Sequence, residues 1–408
     1  MRPLQRAYQN RLIMDMRLRR LSRRVFLQRA QEVGLSSTII TLLLNSCASS
    51  TPSTSPTMIT WFSEGEVNAS QAFSELVQHF NAVNEHNIFV NQQPFPDNDL
   101  YNKLFTVFST HQSQPEVVSV DVVWMSKFAA NRWIIPLDQY WPEKQRTNYL
   151  SVPLKAASYQ NKLWGAPLHT DAGVLFYRTD LPDVISPSKL KTWPDFIQMA
   201  GAAQTKLKMP YGFAWQGRQF EGLVCNFVEI LSAYGGAIFD NVYDPQRVVV
   251  ATNAGALEAL TAMTQWVRTI SPHIINDIEA DSTTKWISGK AAFMRNWPGA
   301  MSDSKNNAKS QISEKFDISE LPSPAIPCLG GWQLAINSYA EKTKQDAAWE
   351  FISWMLQKDA QQYLAVKEAF AATLTTTYDD PYVQQANPFY SSLRQSIDKA
   401  QSRPITPH

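Results

Sequence analysis

Two aspartates and two tryptophans stand where apolar runs of this chain break off, and their types suit the recognition of hydroxyl groups. Asp121 interrupts the stretch VVSVDVVW (residues 117–124), which is otherwise apolar apart from Ser119. A carboxylate inside such a strand costs several kcal/mol unless it is paired or meets a cleft at the strand's end. It either caps the turn that follows or accepts hydrogen bonds from a bound molecule. Asp171 closes the polar trio His169-Thr170-Asp171, on a connection between the breakers Trp164, Gly165 and Pro167 and the strand Val174–Tyr177. Such a trio lines a cleft or faces solvent. Trp297 follows the apolar run Ala291–Met294 and Arg295-Asn296, and Pro298 ends the ladder. This reads as a strand buried in a parallel sheet, with the indole at its C-terminal edge, where open α/β sheets hold ligands. There the indole either plugs the core or offers a flat face and an N–H donor, as a sugar ring requires. Trp332 follows Gly330 and Gly331, which open a strand running to Ile336 and let the backbone approach something closely.

Two carboxylates could also flank a glycosidic bond in a hydrolase, so an exported carbohydrate-active enzyme is the competing class. The chain carries no G-x-S-x-G elbow and no zinc-type His/Cys spacing, and its six histidines are scattered. The expectation is a non-enzyme with no catalytic residues, no metal and no cofactor. The elements that must position the four residues alternate along the chain. Strands are expected at 58–62, 88–90, 117–124, 174–177, 212–215, 291–294 and 330–336, with amphipathic helices at 69–81, 99–109, 253–270 and 347–356. Thr192 is the expected N-cap of another helix, with Pro194 in its first turn. That alternation predicts an α/β fold with a largely parallel sheet.

The first 46 residues read as an address and not as fold. Nine arginines and no lysine surround the apolar segment Val33–Leu44, which is too short to span a bilayer. Ser22-Arg23-Arg24-Val25-Phe26-Leu27 looks like a twin-arginine export motif. Leu44-Asn45-Ser46-Cys47 looks like a lipobox, in which Cys47 is lipidated; an ordinary cleaved signal that carries a cysteine is the other reading. Residues 47–57, rich in Ser, Thr and Pro, form the expected tether. Of 37 basic and 36 acidic side chains, nine arginines, Asp15 and Glu32 lie in the signal, leaving a body near −6. A mildly acidic exported body argues against nucleic acid and against a basic membrane-binding face. Cys225 and Cys328 remain; an oxidising compartment permits their pairing, and two free buried thiols fit as well.

The stretches VDVVWMSKFA, PLHTDAGVLFYRTDL, FAWQGRQFEGLVCNFVE, GKAAFMRNWP and GGWQLAINS, with the helix AAWEFISWM, together resemble a known family. They are similar to the family 1 extracytoplasmic solute-binding proteins of bacterial ABC importers, nearest the trehalose/maltose-binding branch with its disaccharide and glucosylglycerol binders. The likeness spans most of residues 58–370 in the family's order. It implies a two-lobed periplasmic-binding-protein fold, type II-like, with hinge strands crossing between the lobes. Lobe I would comprise 58–168 and 318–345, and lobe II 169–317 and 346–408. Carried over, Asp121 and Asp171 accept sugar hydroxyls, Trp297 stacks on the ring, Gly331 gives a backbone donor and Trp332 a second aromatic wall. Arg403 falls near the site, and Glu64, Glu66 or Asn68 adds a contact from the first strand–helix loop, with Glu66 the residue chosen. His169 and Gly299 stand where relatives often have aromatics, so ligand identity does not transfer. Relatives continue through a further C-terminal helix, whose lack would expose apolar surface. The implied partners are a small sugar, the membrane subunits of an ABC permease with their cytoplasmic ATPase, and the membrane through a lipid anchor. The implied protein is a monomer in the periplasm or outside the cytoplasmic membrane, serving import or, alternatively, sugar sensing.

Overall fold

The computed structural model describes residues 55–406 apart from Glu66, Tyr243 and Asp244. The signal segment, the Cys47 lipidation and the Glu66 contact lie outside the described residues. Thr57, expected in the tether, already opens the first strand. In chain order the strands are β1 (Thr57–Glu64), β2 (Ile88–Phe95), β3 (Val117–Asp121), β4 (Ser158–Tyr159), β5 (Lys162–Leu163) and β6 (Ala166–Ala172). They continue as β7 (Val174–Arg178), β8 (Tyr211–Ala214), β9 (Ala291–Asn296), β10 (Phe316–Ser319), β11 (Leu329–Ile336) and β12 (Ala371–Ala372). Two sheets organise them, in the orders β12-β6-β11-β3-β1-β2 and β10-β7-β9-β8, and β4 and β5 form a small hairpin.

Each large sheet is covered on both faces. In the first, consecutive residues of β1 go to different cores. Trp61 packs with Phe73, Phe80, Phe351 and Ile352, under the helices Val67–Val83 and Lys342–Met355. Phe62 packs with Leu104, Phe108 and Phe128, under the helices Asp97–Ser109 and Met125–Ala130. In the second, Tyr177, Phe213 and Phe293 meet the helices Trp193–Lys206, Glu221–Ala233 and Ala254–Arg268. Its other face, with Phe176 and Met294, meets Trp286 and the final helix, Tyr390–Lys399. That helix is itself core, with Tyr390, Leu393 and Ile397 buried; the exposed Val248, Leu257 and Leu260 lie on and before the Ala254–Arg268 helix instead. Thr192 caps its helix as expected, its hydroxyl accepting from the Asp195 N–H. Among the described residues no helix is long and apolar enough to cross a membrane.

Three expectations need correction. The sheets are mixed and not largely parallel. β1 runs parallel to β2 and β3, and β8 to β9, but β11 is antiparallel to β3 and β6, β12 to β6, and β7 to both β9 and β10. A strand that crosses from the other sheet arrives pointing back, so the crossings reverse the local direction. Second, His169, Thr170 and Asp171 belong to β6 and not to a loop, because all three pair with β11 on one side, and His169 and Thr170 also pair with β12 on the other. Third, the crossings fall at Gly173 and Cys328, later than the boundaries expected at 168 and 317, and the helices Lys342–Met355 and Lys358–Glu368 pack on the first sheet. Their apolar rows, Ala348, Phe351, Ile352 and Met355 in one and Ala360 and Leu364 in the other, match the β1 side and not the second core.

Phe351 is fully buried, 5.5 Å from the Trp61 ring and 5.2 Å from Phe80. Phe351→Ala is therefore expected to cost about 3–5 kcal/mol in urea unfolding. A loss below about 1 kcal/mol would remove that helix from the first core.

Candidate functional site

The parallel strands β1 and β3 end in carboxylates, Glu64 and Asp121, at the edge where the two crossing strands pass. β11 lies between β3 and β6, with Trp332 opposite both Asp121 and His169 and with Gly330 opposite Asp171. The His169 side chain is 4% exposed, with Nε2 3.4 Å from Glu64 Oε1 and Nδ1 3.6 Å from Asp171 Oδ2. Its ring stacks on Phe370 at 4.2 Å and 11°. Burial alone would favour the neutral imidazole, but the flanking carboxylates of Asp171 and Glu64 outweigh it and hold the pKa up at about 9. His169 is thus a buried cation at neutral pH. Glu64 Oε2 has no hydrogen-bond partner among the described residues.

Asp121 sits beside this pair and accepts from the Val123 N–H at 2.9 Å, which is the capping role its turn suggested. Desolvation raises its pKa, Arg403 and that N–H oppose the rise, and Asp171 and Glu64 add to it. The Arg403 side chain is 6% exposed, and its Nη2 lies 3.7 Å from Asp121 Oδ1 and donates to Leu329 O at 3.2 Å. Its Nη1 pairs with the Glu221 carboxylate and donates to Cys225 Sγ at 3.2 Å. Arg403 therefore bridges the first sheet's edge and the start of the Glu221–Ala233 helix. The tail that carries it is held from both sides: the Ser126 hydroxyl donates to Thr406 O and the Ile405 N–H to Val242 O.

From the second sheet, Trp297 follows β9 and is partly exposed. The Arg295 guanidinium lies 4.2 Å from its ring centroid, covering one face. Arg295 is fixed in turn by Glu229, Nε to Oε2 at 2.8 Å and Nη2 to Oε1 at 2.5 Å, with both side chains almost wholly buried. Glu279 lies close by, its carboxyl pKa raised by burial and lowered in part by Arg295 and Trp297. The benzo edge of the indole reaches the crossing strand, since a Cβ at Gly330 would stand 3.0 Å from Trp297 Cζ3. At Gly331, φ is +119° and a Cβ would meet His169 O and Thr170 Cα at 2.6 Å, so both glycines serve close approach.

The structure thus brings Asp121, His169, Asp171, Gly331, Trp332, Trp297 and Arg403 to one cleft. Trp332 is largely covered, 9% exposed and edge-on to Trp124 at 5.3 Å and 87°, and Trp124 is the more open of the two. Of the alternatives in the first loop, Glu64 reaches His169, while the side chains of Glu66 and Asn68 lie outside the described residues. Sequence reasoning missed Arg295, Glu229, Glu279 and Phe370. The first two carried one signal, a charge within each of two strongly apolar segments; Glu279 and Phe370 carried none. Cys225 and Cys328 are free and buried.

The chain matches the family model described as bacterial extracellular solute-binding protein over residues 64–362. It is 31% identical over 305 residues to a probable ABC transporter-binding protein of Deinococcus radiodurans, covering 72% of this chain and 70% of that protein. A structure described as maltose-bound T. maritima MalE3 superposes with a TM-score of 0.78 at 28% identity, covering 86% of this chain and 90% of that one. An Agrobacterium vitis ABC transporter solute-binding protein with bound D-mannitol shares the fold, with a TM-score of 0.71 at 21% identity over 84% of each chain.

His169 gives the cleft a defined pH response. Its folded pKa, about 9, lies above its ordinary 6.5. Its contribution to stability is fully present below pH 6.5 and is lost as pH rises through 9, a loss of roughly 3 kcal/mol. The urea midpoint is expected to fall between about pH 6 and about pH 10 and to fall much less in His169→Phe, which keeps the stack on Phe370. Equal slopes in the two proteins would show that His169 is not held as a cation.

Proposed function

Since the chain belongs to the family of bacterial extracellular solute-binding proteins, we propose that it captures a neutral sugar reversibly and hands it to an ABC permease. The observation that carries this is Trp297, braced by Arg295 on one face and set opposite the mixed polar row Glu64, Asp121, His169 and Asp171. A sugar offers C–H faces that suit the free side of an indole, and hydroxyls that donate and accept at once. Carboxylates accept hydrogen bonds from the hydroxyls, and the His169 and Arg403 cations, whose N–H groups face acceptors of the protein, hold that row in place. The backbone at Gly331 and the walls formed by Trp332 and Trp124 complete the enclosure. No residue performs chemistry on the ligand.

The ligand class is a disaccharide or glycosyl-polyol of the trehalose, maltose, sucrose or glucosylglycerol kind. The maltose bound to the T. maritima relative supports that class. The two lobes close over the ligand, and the closed form docks on the permease membrane subunits, which its cytoplasmic ATPase drives. The mature protein acts as a monomer outside the cytoplasmic membrane, tethered through Cys47.

Thermal unfolding of the full chain across these four sugars tests the reading. Ligand at 100 times its dissociation constant should add about 2.7 kcal/mol of stability. The expected result is a saturable rise with one sugar, recovered unchanged, and no rise in Trp297→Ala at the same concentration. A cooperative transition that none of the sugars moves would exclude the proposed class.

A further inference from the structure

The crossing between the sheets holds a pair of nucleophilic groups that sugar capture does not use. Three segments pass side by side there. The Gly173 N–H donates to Cys328 O at 3.2 Å, the Leu329 N–H to Gln401 O at 2.9 Å, and the Gln401 N–H to Pro327 O at 3.0 Å. Cys328 is therefore the last residue before the chain enters the first sheet as β11, and its N–H donates to Glu229 Oε1 at 3.0 Å. Cys225 lies on the Glu221–Ala233 helix of the second sheet, where its thiol donates to Glu221 Oε1 at 3.0 Å and accepts from Arg403. Although far apart in the chain, the two buried thiols share their surroundings: Arg403 donates both to Cys225 Sγ and to the carbonyl of Leu329, next to Cys328, and Glu229, one helical turn on from Cys225, accepts from the Cys328 N–H. Apart from Cys47 they are the chain's only cysteines.

We propose that Cys225 and Cys328 are an oxidisable pair whose disulfide ties the crossing strand to the second sheet's Glu221–Ala233 helix. The oxidant is a small-molecule or protein disulfide. One cysteine thiolate attacks a sulfur of the oxidant, forming a mixed disulfide and expelling a thiolate. The second cysteine thiolate attacks the protein sulfur of that bond and expels the second thiolate. The protein loses two protons and two electrons, and the oxidant's disulfide becomes two thiols. Burial pushes the Cys225 thiol well above its ordinary range, with contact to Cys328 adding to the rise, so the folded reduced protein exchanges slowly. The bond forms while the chain folds and both sulfurs are open to attack. Once formed it closes a loop of more than 100 residues and restrains the segment about which the lobes turn. This inference concerns the thiols and the hinge, and does not rest on the identity of the ligand.

The test uses the full chain carrying Cys47→Ser, unfolded and refolded with either oxidised or reduced glutathione. Alkylation, digestion and mass spectrometry then read the thiols. The oxidised sample should lose both alkylatable cysteines and yield one linked peptide pair joining Cys225 and Cys328. Its melting temperature should exceed that of the reduced sample by several degrees, a difference that reductant removes and that Cys225→Ser and Cys328→Ser each abolish. The amides of Gly173, Leu329 and Gln401 should exchange with deuterium on the order of tenfold more slowly in the oxidised form. Two cysteines that remain alkylatable, or that carry glutathione singly, would overturn the pairing. A linked pair with unchanged exchange at those three amides would overturn the restraint on the hinge.

Discussion

A charge buried beyond the reach of water must be paired, and in this molecule the Arg295–Glu229 pair is where most of the cleft is anchored. The two side chains are 1% and 2% exposed, so each ion has lost its hydration and depends on the other for compensation. What they touch gives the pair its reach. Arg295 carries the Trp297 ring on one face of its guanidinium. Glu229 receives the Cys328 N–H and so fixes the crossing into β11. Gly173, on the other crossing, has no room for a Cβ because the Glu229 carboxylate and the Arg295 guanidinium occupy that space. One ion pair thus sets the stacking platform and both crossing strands in a common frame.

The same logic recurs on the first sheet's side of the cleft. Glu64 and Asp171 crowd Asp121 and add to the cost of ionising it. His169 and Arg403 supply the opposing charge. Two of the cations also share a mode of support: His169 lies flat against Phe370, and the Arg295 guanidinium sits over the Trp297 ring. An aromatic face stabilises a cation without consuming its N–H donors, so the donors stay available in the plane of each ring. A set that mixes carboxylates with cations favours a guest that presents both donors and acceptors. A neutral polyol has that chemistry.

The legible parts of this arrangement were the ones written in local periodicity. The apolar row Ala348, Phe351, Ile352 and Met355 specified its helix, and the run Ala291–Met294 specified β9 with Trp297 at its edge. The family likeness then gathered Asp121, Asp171, Trp332 and Arg403 into one site, which no local pattern could do. Strand direction was not legible, because apolar runs carry no sign, and the crossings that reverse it are long-range events. β6 escaped for a different reason. A strand is recognised by apolar residues on a buried face, whereas His169-Thr170-Asp171 is a polar strand paired with β11 on one side and, at His169 and Thr170, with β12 on the other. Glu279 was hidden because an acidic residue opening a helix already has a local explanation in the helix dipole.

Arg403 shows how such a cleft can be poised between open and closed forms. It touches Asp121 of the first sheet's edge and Glu221 and Cys225 of the second sheet's helix, and it rides on the third crossing segment, next to Gln401. Opening the lobes separates Asp121 from Glu221, so Arg403 can follow only one of them. Its partners lie on both sides, Glu221 and Cys225 on the second lobe and Leu329 O, with Asp121 farther off at 3.7 Å, on the first. Where Arg403 leaves with Glu221, Asp121 loses its nearest cation but regains water, which relieves the burial that raises its pKa. These two changes oppose each other. The polar groups thus contribute a difference of two opposing effects, and whatever fills the space between Trp297 and the first sheet adds to that difference. A ligand shifts such an equilibrium by its differential affinity for the closed form, and the stacking face of Trp297, braced on one sheet and facing the other, provides that difference.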